Sequence, residues 1–88
     1  MSLSTNVEVK KTTTKVYKPS SAEAFTEIIL TNDSAVPMYL NLTGQAAELH
    51  KGIRLNAEGG TLVLDDKQSK EIQAISSVEN SILAVHVQ

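Results

Sequence analysis

Few residues of this 88-residue chain could do chemistry: His50 and His86, a handful of acids beside turns, and no cysteine at all. Without cysteine there is no thiol nucleophile, no thiolate metal site and no disulfide framework. A serine triad would have to recruit His50 or His86, and neither sits in a recognisable nucleophile motif. His86 falls in the last apolar run, the setting of a partly buried or edge histidine. His50, in "AELHKG", belongs at a loop tip, where Glu48 alone is too sparse a companion for a metal site. Asp33 in "TND" and Asp65 and Asp66 in "LDD" would share a calcium ion if their loops met at one end of the fold. Their spacing matches no calcium loop, and turn aspartates bonding their own backbone account for them. "EGG" lacks the strand-to-helix setting and the lysine of a phosphate cradle, so its glycines read as turn residues. "NDS" and "NLT" are formal glycosylation sequons that carry no weight without an export signal. The expectation is a protein that is not an enzyme, with no catalytic, cofactor-binding or metal-binding residues to assign.

The elements around these residues are short. From residue 35 onward, apolar runs of four to seven residues alternate with turn signals, the pattern of an antiparallel all-β protein. "MYLNLTG" puts Met38, Leu40 and Leu42 on one face and Tyr39, Asn41 and Thr43 on the other. "GIRLNAEGGTLVLDD" reads as a hairpin, with Ile53, Leu55 and Ala57 on one face, a turn at "EGG", and Leu62 and Leu64 alternating with Thr61 and Val63 on return. "KEIQAISS" and "SILAVHV" are apolar on both parities, as befits strands buried twice, centrally or under a partner. In the last run Leu83, Val85 and Val87 form the stronger face, and "NS" at 80 and 81 supplies the turn before it.

"PSSAEAFTEIIL" offers a helix capping box at Ser20 and Glu23, but "TEIILTN" is β-branched and runs into a turn followed by a clear strand. A strand over about 24–32 is predicted, with Phe25, Glu27 and Ile29 on one face and Ile28 and Leu30 on the other. It is expected to lie beside "MYLNL" in one sheet, with Ile28, Leu30, Met38, Leu40 and Leu42 inside. In "NVEVKKTTTKVYK" the parity of Val7 and Val9 is broken at Val16, which calls for a bulge or two separate segments. The total is six or seven strands, a small antiparallel β-sandwich or barrel.

Charge is uneven. Lys10, Lys11, Lys15 and Lys18 against Glu8 give residues 1–18 a charge of 4 − 1 = +3; the remaining four cations against nine acids give −5, and the sum is the net −2. The expectation is a basic N-terminal arm over residues 1–12, flexible or docked on a neighbouring copy, followed by one β-sandwich domain over 13–88. A net charge this small offers no field for nucleic acid, and no run approaches the roughly 20 apolar residues of a membrane helix. Neither partner is expected, and the amino terminus has no signal-peptide pattern.

The order "IILTN", short turn, "PMYLNLTG", variable loop, "KGIRLNAEGG", "IQAISS" and a terminal alternating strand resembles a family of small β-sandwich accessory proteins of tailed-bacteriophage virions, of the capsid-decoration or head-fibre type. The resemblance covers about residues 14–88 and rests on packing and turn motifs. Where that family usually has a proline before the turn glycine, this chain has Glu58. What it implies is a non-enzymatic structural subunit, self-associating as a homo-oligomer such as a trimer, assembled in the bacterial host cytoplasm and attached in the virion to a capsid or tail protein. The surfaces expected to serve this are the second apolar face, Phe25, Ile29 and Tyr39, together with Lys10, Lys11 and Lys15. A module binding carbohydrate or another surface ligand, or a small regulator of a host protein, are the rival expectations.

Overall fold

The computed structural model describes residues 3–19, 27–65 and 70–88. The described residues are all-β: β1 (Leu3–Val9), β2 (Thr14–Tyr17), β3 (Ile28–Asn32), β4 (Met38–Asn41), β5 (Ile53–Leu55), β6 (Gly60–Leu64), β7 (Ile72–Ser76) and β8 (Ser81–Val87). They form two four-stranded antiparallel sheets of order β1-β8-β3-β6 and β2-β7-β4-β5. For brevity the first is sheet A and the second sheet B. The expected small β-sandwich is the observed one, with eight strands where six or seven were predicted.

The pairing is nested: β4 with β5, β3 with β6, β2 with β7, and β1 with β8. The chain is in effect one long hairpin, its tip between β4 and β5, rolled so that β8 also meets β3 and β7 also meets β4. This is the connectivity of a jelly roll. Ile28, Leu30, Leu83, Val85, Val87 and Val9 from sheet A meet Met38, Leu40, Leu55, Ile72, Ala74 and Val16 from sheet B in one core. Strands β7 and β8 are interior in their sheets, which is why both of their parities are apolar.

Two sequence expectations need correction. The runs "IIL" and "MYLNL" are not neighbours in one sheet, and the segment 53–64 is not a hairpin; in both cases the chain crosses from one sheet to the other. Ile28 and Leu30 therefore face Met38 and Leu40 across the core instead of lying beside them. The corners are built from polar groups. At the first crossing the buried Asn32 side chain donates to the Val36 carbonyl at 2.8 Å and the Leu55 carbonyl at 3.0 Å, and accepts from the Ser34 amide at 3.1 Å. At the β7–β8 crossing the buried Ser76 and Ser81 hydroxyls bond each other at 2.9 Å. Period-2 alternation decides which side of a strand is dry, and it is silent on which sheet the strand joins.

The turn at 57–59 explains the missing proline. Glu58 has φ 56° and Gly59 φ 103°, and a proline, locked near −65°, does not fit the first of these. Beyond it, a Cβ on Gly60 would lie 2.2 Å from the Asn56 carbonyl oxygen, so only glycine lets the chain close this corner.

The expected basic arm is also corrected for the part described. Leu3–Val9 is an edge strand of sheet A, paired along all of β8, with Val9 fully buried. Lys10 to Thr13 then carry the chain to sheet B, and a register shift between Lys15 and Tyr17 follows. The break in valine parity marks this change of sheet. The strand expected over about 24–32 is observed over 28–32, and Glu27 continues its ladder by exchanging backbone hydrogen bonds with Gln88 at 2.9 and 3.0 Å; residues 24–26 lie outside the described set.

Candidate functional site

His86 projects from the outer side of sheet A, opposite Ser4 on β1, and Ser4 Oγ lies 2.6 Å from its Nδ1. A serine and a histidine at that distance invite comparison with a nucleophile and its base. Such a pair needs a group to orient the ring and donors for a developing oxyanion. Here β8 is hydrogen-bonded on both sides, to β1 and β3, so its backbone N–H groups lie in the sheet and are spent in the ladders. The pair is a cross-strand hydrogen bond on an open sheet surface.

Asp33 and Asp65 do not converge. β3 and β6 run antiparallel with Asn32 opposite Gly60 and Ile28 opposite Leu64, which places the two aspartates at opposite ends of the pair, roughly 20 Å apart. Asp66 lies outside the described residues. Among the described residues no group of three or more His, Cys, Asp or Glu side chains could hold a metal ion. Glu48 pairs with Lys51 at 3.1 Å, and His50 is engaged with Tyr39 instead.

The outer side of sheet B is closed by the chain itself. Tyr39 and Ile75 form a second apolar cluster with Ala47 from the segment joining β4 to β5. Tyr39 is only 6% exposed, its hydroxyl lies 3.0 Å from His50 Nδ1, and the two rings meet edge-on with centroids 5.1 Å apart. Thr13 holds the segment from the side: its hydroxyl donates to Gln73 Oε1 at 2.8 Å and accepts from the Ala47 amide at 2.8 Å. Gln73 Nε2 in turn reaches the Gly44 carbonyl at 3.3 Å. Tyr39, expected as a contact for a partner, is covered by its own loop.

The outer side of sheet A has no such cover among the described residues. Across it run Ser4, His86, Ile29 and Val63 in one row and Asn6, Ala84, Thr31 and Thr61 in the next. Ile29 is half-buried, and beside it Val63 is 48% exposed. Val63 was legible as outward-facing from its alternation with Leu62 and Leu64, but its meeting with Ile29 follows only from the β3–β6 pairing. Phe25 lies outside the described residues. Lys10, Lys11 and Lys15 are exposed at the opposite corner of the molecule's connectivity, where the chain passes from β1 to the β2 edge of sheet B. The Lys10 carbonyl accepts from the Ser76 amide at 3.0 Å, the Lys11 amide donates to Glu79 Oε2 at 3.1 Å, and Lys15 Nζ lies 3.6 Å from Glu71. The three lysines thus follow the chain from the edge of sheet A to the edge of sheet B, whereas Ile29 and Tyr39 lie on interior strands of the two sheets.

No protein-family model, curated protein or solved structure matches this chain.

Proposed function

We propose that this protein is a non-enzymatic structural subunit of a tailed-bacteriophage virion, self-associating and attached to a capsid or tail protein as an accessory or decoration subunit. The observation that carries the reading is the group of apolar side chains on the outer side of sheet A, Ile29, Val63, Ile82 and Ala84, left uncovered among the described residues, on a molecule that shelters the equivalent side of sheet B with its own loop. An exposed apolar group of that kind is more readily covered by another protein than left in water. The jelly-roll connectivity adds support by fold analogy alone, since viral capsid domains use it, as do lectins and cupins.

A carbohydrate-binding module of the same fold would present exposed aromatic side chains, and here Tyr39 is buried and Tyr17 packs against the core. Light scattering during size exclusion, with co-sedimentation on phage particles, tests the proposal. Concentration-dependent oligomers that pellet with particles are the expected result; a strict monomer at high concentration with no affinity for particles would falsify it.

A further inference from the structure

We propose that the free edge of β1 is where two copies of this chain meet: their β1 strands pair antiparallel about a two-fold axis at Asn6, so that the two copies of sheet A become one continuous sheet. This rests on the self-association reading above and names the surface that makes the contact.

The ladders fix which backbone groups are available. Glu27 and Gln88 exchange both of their backbone hydrogen bonds, and the Asp33 amide donates to the Ile82 carbonyl at 3.0 Å. Bonding direction alternates along a strand, so Gln88, His86, Ala84 and Ile82 turn their backbone groups toward β3. Val87, Val85, Leu83 and Ser81 turn theirs toward β1, where they meet Leu3, Thr5, Val7 and Val9. The N–H and C=O groups of Ser4, Asn6 and Glu8 are left pointing away from the sheet, with no backbone partner among the described residues. All three residues are exposed, so this edge is open to solvent.

The other three edges are shorter or guarded. β2 has four residues, an exposed Lys15, a register shift before Tyr17 and Pro19 just beyond its end. β5 has three residues, with the exposed Arg54 in the middle. In β6, Gly60, Leu62 and Leu64 bond toward β3, which leaves only Thr61 and Val63 facing outward. Short strands, lysines, prolines and bulges are what keep sheet edges from pairing with other chains. β1 has seven residues in unbroken register with β8 and carries none of these guards.

A second β1 matches this edge in register and in charge. With Asn6 opposite itself, Ser4 of each copy faces Glu8 of the other, so all three outward residues exchange hydrogen bonds in pairs. The two Glu8 carboxylates then stand four residues apart along the strands, about 14 Å, beyond the screening length of about 10 Å in 0.1 M salt. Setting Glu8 opposite itself would oppose like charges and bring Asn6 against Lys10, whose carbonyl already accepts from the Ser76 amide. In the favoured register each Glu8 also lands beside the Ser4–His86 pair of the other copy, whose Oγ and Nδ1 lie 2.6 Å apart. With a proton on Nδ1 the ring donates to Ser4, and the serine hydroxyl is free to donate to the incoming carboxylate. His86 is the one basic side chain on the outer side of β1 and β8, and this register aligns it with the acid.

The chain has no cysteine, so single cysteines report the register. Asn6→Cys sets two thiols opposite each other at a Cα spacing of about 5.5 Å, within disulfide range, whereas Glu8→Cys holds them about 14 Å apart. Under mild oxidation Asn6→Cys is expected to give linked dimer at least about tenfold faster than Glu8→Cys, with folding of each checked by its thermal transition. Asn6→Pro removes an amide that faces away from β8, and light scattering should show association weakened at least about tenfold. Thr61→Pro, the same change on the edge of β6, should associate as the wild type does. Equal linking at both cysteine positions, no linking by Asn6→Cys, or wild-type association by Asn6→Pro, in a chain that still self-associates, overturns the β1 contact and leaves self-association standing. A wild type that is monomeric throughout, with no linking at either position, overturns both.

Discussion

The two outer faces of this sandwich begin alike and end differently. Each central strand carries apolar side chains on its outward parity, Ile75 and Tyr39 on sheet B, Ile29, Ile82 and Ala84 on sheet A. On sheet B they are roofed by the segment 42–52; on sheet A they are left half-buried or exposed. The difference traces to connectivity. Among the described strands, β4 and β5 are the one consecutive pair in the same sheet, so their connection is free to fold back over that sheet's outer side. Length at the tip of the rolled hairpin thus protects the outer side of sheet B.

The strongest perturbation should ignore this contrast, because both sheets share one core. Leu30→Ala in sheet A and Leu40→Ala in sheet B, both essentially unexposed, should each cost about 3 kcal/mol. Urea denaturation would measure it, and a loss under about 1 kcal/mol at either position would mean that the sheets do not depend on one another. Next in size, Tyr39→Ala should cost about 2–3 kcal/mol and expose Ile75, since it removes an aromatic ring that the roof has sealed. Binding of an environment-sensitive hydrophobic dye should rise with it. A cost indistinguishable from that of a surface change would show that the roof is open in solution.

Thr13→Ala should have a smaller effect, about 1 kcal/mol, because it deletes a hydroxyl that serves both Gln73 and the Ala47 amide. Amide hydrogen exchange should quicken at residues 44–50 before it does in the strands; uniform quickening would make Thr13 a part of the core instead of a tether. The smallest effect belongs to the open face. Val63→Ala, measured on dilute isolated chain, should change stability by no more than about 0.5 kcal/mol. A loss comparable to that of Tyr39→Ala would mean that the strip is covered within the monomer and is no free surface.

Much of this architecture could be read before any coordinates. Alternation in "IIL" and "SILAVHV" assigned the dry faces correctly, and in "MYLN" it found the core face but not the burial of Tyr39 opposite, because neighbouring residues on a strand point to opposite sides whatever the strand pairs with. The change of parity between Val9 and Val16 called for a bulge or two separate segments, and the structure has two segments, in different sheets. What misled was proximity: "NDSAVP" and "EGG" look like hairpin turns, yet Asn32 and the strained corner at Glu58 and Gly59 send the chain to the other sheet. For the candidate interface, Ile29 and Val63 were each readable as outward, whereas Tyr39 was misjudged because the side chains that cover it come from a loop with no periodicity.

The amino-acid sequence by itself determined the strand-forming segments, the side each one keeps dry, the separation of cations from acids along the chain, and the absence of cysteine chemistry. These are local properties, carried by residue type and period. Only the tertiary structure decided which sheet each strand joined and that a loop covers the outer side of sheet B, because those outcomes hang on contacts such as Thr13 with Gln73, 60 positions apart, and Thr13 with Ala47, 34 apart. Pairings over such distances are selected by the packing of the whole molecule, and no short window of residues contains them.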